Sequence, residues 1–336
     1  MKISWKWRLK SKVKNFKYVR DLLFYSLSHR GGSEPLVKYS AQGSISSSYD
    51  NPVCLFCSYD EESIIRESVY YYLNELVLSG FDVIFISSSD TITNADLKKL
   101  SGLCIRIINR ENKGYDFYGW KTGLEKYPQY SAHSGLLLAN DSVLGPLFSI
   151  RNIINEIENC NADVVGMTDS FLYYPHLQSY FIFCKKSVIL SEEFIGFFNR
   201  VSETNLKIAI IRKYEVGFSR LLGHRFRLSA LYNVEHAFAR ARDLERPKNW
   251  IDPTFHLWKL LITELKFPFL KKNVLTGQDI SIQEISAVLA ESGSTFDIGI
   301  LAGWIWGKRP SKFGQSNNNQ SGQQTTPSDS ADSGSG

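Results

Sequence analysis

The strongest constraint on this chain is a strand with no wet face. Residues Gly135-Leu136-Leu137-Leu138-Ala139 are apolar at every position, and such a run is stable only at the centre of a sheet covered on both sides. Its polar tip, Asn140-Asp141-Ser142, then falls at the carboxyl edge of that sheet, where open α/β sheets bind ligands. Two readings of Asp141 stand side by side. It opens a turn, as short polar residues do, or it holds a divalent ion, Mg²⁺ or Mn²⁺, against a diphosphate through hard oxygen ligation.

The flanking text predicts a doubly wound, mostly parallel α/β sheet. Apolar runs at 53–58 and 81–86 bracket a helical pattern over 61–79, in which Ile65, Val69, Tyr72, Leu73 and Leu76 recur near helical spacing. A short helix at 96–100, a strand at 104–108 and a helix at 119–127 lead into the apolar strand. Beyond it the pattern gives a helix at 150–158, strands at 163–167 and 178–184, and a helix at 191–199. Residues 214–223 read as a helix closed by Gly223, followed by a strand at 226–231 and helices after Pro253 and at 280–290.

The domain organisation follows from composition. Residues 1–30 are crowded with Lys and Arg interleaved with aromatics such as Trp5, Trp7 and Tyr18, a basic amphipathic arm. Such an arm either lies on an anionic membrane surface or packs as a solvated basic helix on its own domain or on a partner enzyme. Gly- and Ser-rich residues 31–51 read as a linker, residues 52–310 as the folded α/β domain, and the Ser/Gln/Asn/Gly-rich residues 311–336 as a disordered tail. No apolar stretch reaches the roughly 18 to 20 residues that span a bilayer, and no signal-peptide pattern opens the chain. The expected location is therefore cytoplasmic, peripheral on the inner face of the membrane.

Charge and cysteine content exclude other classes. A net charge of +5 over 336 residues is too modest for a nucleic-acid binder. The five cysteines are an odd number scattered through element-like text, against a disulfide framework. Cys54 and Cys57 have CxxC spacing, but on a strand an offset of three residues sends them to opposite faces, and no second ligand pair follows.

The candidate site is assembled from segments expected at carboxyl strand edges. Ser88 and Asp90 follow the second strand, Asn112, Gly114 and Asp116 follow the third, and Asp141 the fourth. Gly114 permits close backbone approach and Asp116 accepts from a ribose or sugar hydroxyl; the plain alternatives are a turn glycine and a helix N-cap. Lys113 and Lys121 offer charge to a departing phosphate. Glu215 is the first choice of general base and Asp169 the second, while a carboxylate at a helix start is the simpler reading of Glu215. His176 and Gln178 supply polar groups beside aromatics, and Lys271 stands ready for a diphosphate or for solvent.

The segments NKGYDFYGWKTGL, LLLANDSVLGP, ADVVGMTDSFLYYPHLQSYFIFCKKSV and KYEVGFSRLLGHRF, in that order, resemble the rhamnan synthesis protein F family of bacterial polysaccharide glycosyltransferases, over roughly residues 50–275. That resemblance implies a GT-A-like fold, a nucleotide-sugar donor, a divalent metal and a lipid-linked glycan acceptor of the O-antigen or rhamnan type. Rhamnose, galactose or a similar hexose fits as the sugar. Carried onto this chain, Asp141 takes the place of the metal or diphosphate carboxylate and Glu215 that of the base. The chain departs from the commoner GT-A pattern in having Asn140-Asp141-Ser142 rather than two aspartates. That departure puts metal dependence in doubt, and it leaves a non-catalytic glycan-binding or assembly module as the rival reading.

Overall fold

A computed structural model describes residues 36–171, 174–204, 210–235, 237, 252–278 and 280–301. The basic arm and the C-terminal tail lie outside the described residues. In chain order the first half holds β1 (Val37–Gln42), β2 (Val53–Ser58), α1 (Glu67–Leu78), β3 (Asp82–Ser87), α2 (Asn94–Ser101), β4 (Arg106–Arg110), α3 (Tyr115–Lys126), β5 (Gly135–Asn140), β6 (Val143–Leu144) and α4 (Ile150–Asn159). The second half holds β7 (Val164–Gly166), β8 (Asp169–Ser170), β9 (His176–Leu177), β10 (Phe181–Lys185), α5 (Lys186–Ile189), α6 (Glu192–Arg200), α7 (Val216–Leu222) and β11 (Leu228–Ala230). It closes with α8 (Pro253–His256), α9 (Trp258–Leu265), β12 (Leu270–Lys271), α10 (Lys272–Gly277) and α11 (Ile282–Ser292).

The main sheet has eight strands in the order β1-β4-β3-β2-β5-β10-β7-β11. Parallel pairing joins β4, β3, β2 and β5, and again β7 and β11, while β1 and β10 run the other way. The apolar strand β5 is buried at every residue between β2 and β10, as its composition requires. Alternate side chains sort onto two faces. Cys54, Phe56 and Phe85 meet α1, α2 and α4 on one face, and Leu55, Cys57 and Ile86 meet α3, α6 and α7 on the other. Cys54 and Cys57 thus point apart, and all five cysteines are free thiols. A third apolar cluster of Leu144, Trp258, Ile262, Leu270 and Ile285 fastens α9 and α11 to the loop after β5.

Three sequence expectations are corrected. The segment expected to be a linker contains β1, which pairs antiparallel with β4 from Val37 to Gln42. The strand expected from Gln178 starts at Phe181 and is antiparallel to β5, because no crossover helix precedes it; the intervening chain forms the small β8–β9 ladder instead. The first long helix begins at Glu67 rather than Glu61, because the Asp60 carboxylate accepts from the Glu62 and Ile64 amides (2.9 and 3.4 Å) and pairs with Arg66 (3.0 Å), making a turn there. No helix among the described residues is long and apolar enough to cross a membrane.

Candidate active site at the carboxyl edge

Strand tips make the floor of the site. β2 ends at Ser58, β3 at Ser87, β4 at Arg110 and β5 at Asn140, and the parallel registers Ser58↔Ser87 and Cys57↔Asn140 hold these tips level. Because β10 is reversed, its approach rather than its end reaches the same edge. The Asn140 amide donates to the Tyr180 carbonyl at 3.3 Å, and its side chain donates to the Ser179 carbonyl at 3.3 Å.

Three carboxylates face one another over this floor. Asp116 stands in the first turn of α3, behind Gly114, whose left-handed backbone (φ 73°) caps the helix. Its carboxylate accepts from Asn140 Nδ2 at 2.9 Å. Burial and the neighbouring Asp141 charge push its pKa up; Arg110 pulls it down, Glu215 pushes it up again and the Asn140 hydrogen bond lowers it, leaving it at about 7. Asp141 accepts from the Ser58 hydroxyl at 3.1 Å and pairs with Lys272 Nζ at 3.1 Å. Glu215 closes a π-helical turn at Ile211–Glu215 that leads into α7. Its Oε1 accepts from the Ser179 amide at 3.2 Å and from the Ser179 hydroxyl.

The other predicted residues separate into those beside this cluster and those away from it. Ser88 lies beside it, its amide donating to the Ser58 carbonyl at 3.0 Å. Asn112 is exposed on the turn that Gly114 closes. Asp90 is exposed and pairs with Lys38 at 3.7 Å. Lys121 faces the other way: its ammonium donates to the carbonyls of Val201 (2.9 Å) and Asn199 (3.5 Å) at the end of α6, a structural tie. Lys113 is occupied by Glu111 (3.0 Å) and Glu203 (3.9 Å).

A second polar group lies around β8, β9 and Asp252. Asp169 accepts from the Val234 amide at 2.7 Å, and burial raises its pKa, with Glu235 adding to the rise and His176 opposing it. His176 is buried, with Nδ1 donating to the Tyr174 carbonyl at 2.7 Å. Gln178 Oε1 accepts from Thr168 at 2.6 Å, and its Nε2 donates to Asp252 at 3.2 Å. Lys271 pairs with Asp252 at 3.4 Å over the Tyr180 ring. These side chains satisfy one another, so they brace the wall beside Glu215 more than they offer open donors.

Lys272, Ser58, Ser179 and Arg110 were not singled out by sequence reasoning. Ser58 carried a signal as the last residue of an apolar strand. Lys272 carried none, since it reaches Asp141 only through the pairing of β12 with β6, Leu270↔Leu144 and Lys271↔Val143.

Among the described residues no set of three His, Cys, Asp or Glu side chains gathers to hold a divalent ion unaided. Asp141, paired with Lys272 at 3.1 Å, is the carboxylate that would share such an ion with a diphosphate, which Mg²⁺ and Mn²⁺ accept with one or two protein carboxylates.

Comparison with known proteins agrees with the motifs. The rhamnan synthesis protein F model matches residues 83–295. An uncharacterized protein, y4gN, of Sinorhizobium fredii (strain NBRC 101917 / NGR234) is 29% identical over 189 residues, which are 54% of this chain and 49% of that protein. The chain thus matches about half the length of that relative. Virulence protein VirA of Vibrio anguillarum is 24% identical over 263 residues, 69% of this chain and 82% of that protein. Among solved structures, the glycosyltransferase GlyE of Streptococcus pneumoniae TIGR4 superposes with a TM-score of 0.40 at 12% identity, covering 78% of this chain and 65% of that one. The mannosyltransferase PcManGT of Pyrobaculum calidifontis, solved with GDP-Man and Mn2+, gives 0.33 at 10% identity, with coverages of 85% and 86%. Both likenesses are too loose to carry an argument. The family match spans most of the described sheet, and with it the chain belongs to the rhamnan synthesis protein F family.

Proposed function

We propose that this protein transfers a hexose, such as rhamnose or galactose, from a nucleoside diphosphate to a lipid-linked surface polysaccharide of the O-antigen or rhamnan type, working from the cytoplasmic face of the membrane. The observation that carries the reading is the linkage of Asp116 and Glu215 beside Asp141 at the carboxyl edge, where Asn140 Nδ2 donates to Asp116 and to the Ser179 carbonyl and the Ser179 amide donates to Glu215, the edge at which an α/β sheet takes its ligands. In this reading the donor's sugar and diphosphate lie across the tips of β2 and β5. Glu215, oriented through Oε1 by Ser179, takes the proton of the acceptor hydroxyl as that oxygen bonds to the anomeric carbon. The bond from that carbon to the phosphate oxygen breaks, and the charge left on the diphosphate meets the ammonium of Lys272. Asp116 accepts from a donor hydroxyl while ionised and donates to one while protonated. Residues 1–30 would hold the enzyme on anionic lipid through basic and aromatic side chains.

The test is turnover by purified protein on a panel of UDP-, dTDP- and GDP-hexoses, with a soluble glycan acceptor and in the presence or absence of chelator. Transfer from one donor that vanishes in Glu215→Gln supports the reading, and loss in chelator restored by Mg²⁺ or Mn²⁺ would place an ion between Asp141 and the diphosphate. No turnover of any donor, with glycan binding retained, would leave a non-catalytic assembly module in its place.

A further inference from the structure

Arg110, the last residue of β4, is 2% exposed, yet its guanidinium serves the main chain. Nη1 donates to the carbonyls of Glu111 (2.9 Å) and Lys113 (2.5 Å), and Nη2 donates to the carbonyl of Tyr115 (2.7 Å). The turn gripped in this way is an unfavourable one. Gly114 and Tyr115 stand in succession in the left-handed region, at φ 73° and 54°. Glycine adopts that region without steric cost, whereas for a bulky side chain it is an outlier. Such backbone persists only where its surroundings over-determine it, and it gathers at ligand sites. Packing of the Tyr115 ring does not explain it, since that residue is 46% exposed. Space for the guanidinium is made by Gly119 in α3, where a Cβ would lie 2.6 Å from Cys57 Sγ and 3.2 Å from Arg110 Nη2.

We infer that Arg110 is the positioning residue of this site, its forked guanidinium holding the 111–115 turn in its left-handed form and so setting Asp116 against Asn140 at the strand tips. The catalytic consequence rests on the glycosyltransferase reading, whereas the clamp is a property of the chain alone. A lysine at this position keeps the charge and loses the fork, so it separates positioning from simple electrostatics. Tyr115→Gly removes the backbone conflict that the fork holds in check.

The experiment is amide hydrogen exchange on the full chain, read over residues 112–118, in wild type, Arg110→Lys and Arg110→Lys/Tyr115→Gly. Exchange there is expected to rise at least about tenfold in Arg110→Lys, with β2 and β3 unchanged, and to return most of the way in the double variant. Turnover of UDP-, dTDP- and GDP-hexoses should fall mainly in kcat in Arg110→Lys and recover with the glycine. Unchanged exchange in Arg110→Lys, or a rise that Tyr115→Gly does not reverse, overturns the inference. Should Arg110→Lys fail to fold, Tyr115→Val and Tyr115→Gly in the wild-type background carry the test: valine should loosen the turn and glycine should not, and equal exchange in the two overturns it. A wild type that turns over no donor would take down the glycosyltransferase reading, while the exchange result would still decide the clamp.

Discussion

The two edges of the sheet bury polar groups in opposite ways. At the amino edge His133 is fully enclosed; Nδ1 donates to the Asn51 carbonyl at 3.0 Å, so in the neutral ring Nε2 accepts from the Tyr127 hydroxyl at 3.0 Å. Asp82 beside it accepts from the Ser48 amide at 2.6 Å and from Asn51 Nδ2 at 3.3 Å. At the carboxyl edge the carboxylates instead oppose one another, and Asp116 is pushed to about 7 largely by burial and by Asp141. Matched groups knit a fold together, whereas mutually repelling groups held in place await a ligand or a proton. The contrast favours the proposed placing of the chemistry at the carboxyl edge.

The largest expected effect is at the carboxyl edge. Glu215→Gln should lower the rate of transfer by about 10² to 10⁴-fold with little change in donor affinity, because a general base acts in the transition state. Its melting temperature should stay near that of wild type. A comparable loss in Asp169→Asn, with Glu215→Gln still active, would move the base to the second polar group and break the contrast as drawn.

The amino edge should answer in stability. His133→Ala leaves a cavity and strips the Asn51 carbonyl and Tyr127 hydroxyl of a buried partner, at a cost of about 2 to 4 kcal/mol in denaturant unfolding. Transfer per folded molecule should be unchanged. A folded His133→Ala protein that has lost turnover would show that the two edges are not separable.

Asp116 sharpens the comparison through pH. Its folded pKa lies above that of an ordinary carboxyl, so the native state binds the proton more tightly than the unfolded chain. Its contribution is full below about pH 4 and is lost as pH rises toward about 7. Asp116→Asn should therefore be more stable than wild type at pH 8, by on the order of 1 to 3 kcal/mol given its partial exposure, while losing activity. Nucleoside diphosphate affinity in wild type should weaken as pH rises through about 7, as Asp116 gains charge, and that dependence should vanish in the variant. Calorimetric titrations at pH 6 and pH 8 check both points.

Lys121→Met should have the smallest effect. It removes hydrogen bonds to the Val201 and Asn199 carbonyls, a loss of about 1 to 2 kcal/mol in stability, and leaves donor affinity as it was. Weakened donor binding in a folded Lys121→Met protein would return that residue to the site.

Much of the sheet was legible because the strands are apolar on both faces. The run Val53–Ser58 forms β2 as read, and Gly135–Ala139 forms the centre of the sheet. The placement of Asp141 just after β5 and of Asp116 in the first turn of α3, both at the carboxyl edge, was legible for the same reason: strand order and direction decide what lies at a strand end. Pairings between distant segments were not. The antiparallel turn of β10 that brings Ser179 to Glu215, and the docking of β12 that brings Lys272 to Asp141, depend on register between segments far apart in the chain. The contacts of Lys121 were not legible, because its helical position fixes a direction only once the neighbouring helix is known; α3 packs against α6, and the ammonium caps the carbonyls there.

The most direct measurement is a crystal structure with a bound nucleoside diphosphate, taken from whichever of UDP, dTDP or GDP protects the protein against unfolding. The expected density lies over the tips of β2 and β5, with the phosphates within reach of Lys272 and beside Asp141, and with Glu215 facing an open acceptor side. A nucleotide seated at the amino edge, or anywhere that leaves Asp116, Asp141 and Glu215 uncontacted, would contradict the assignment of the chemistry to the carboxyl edge.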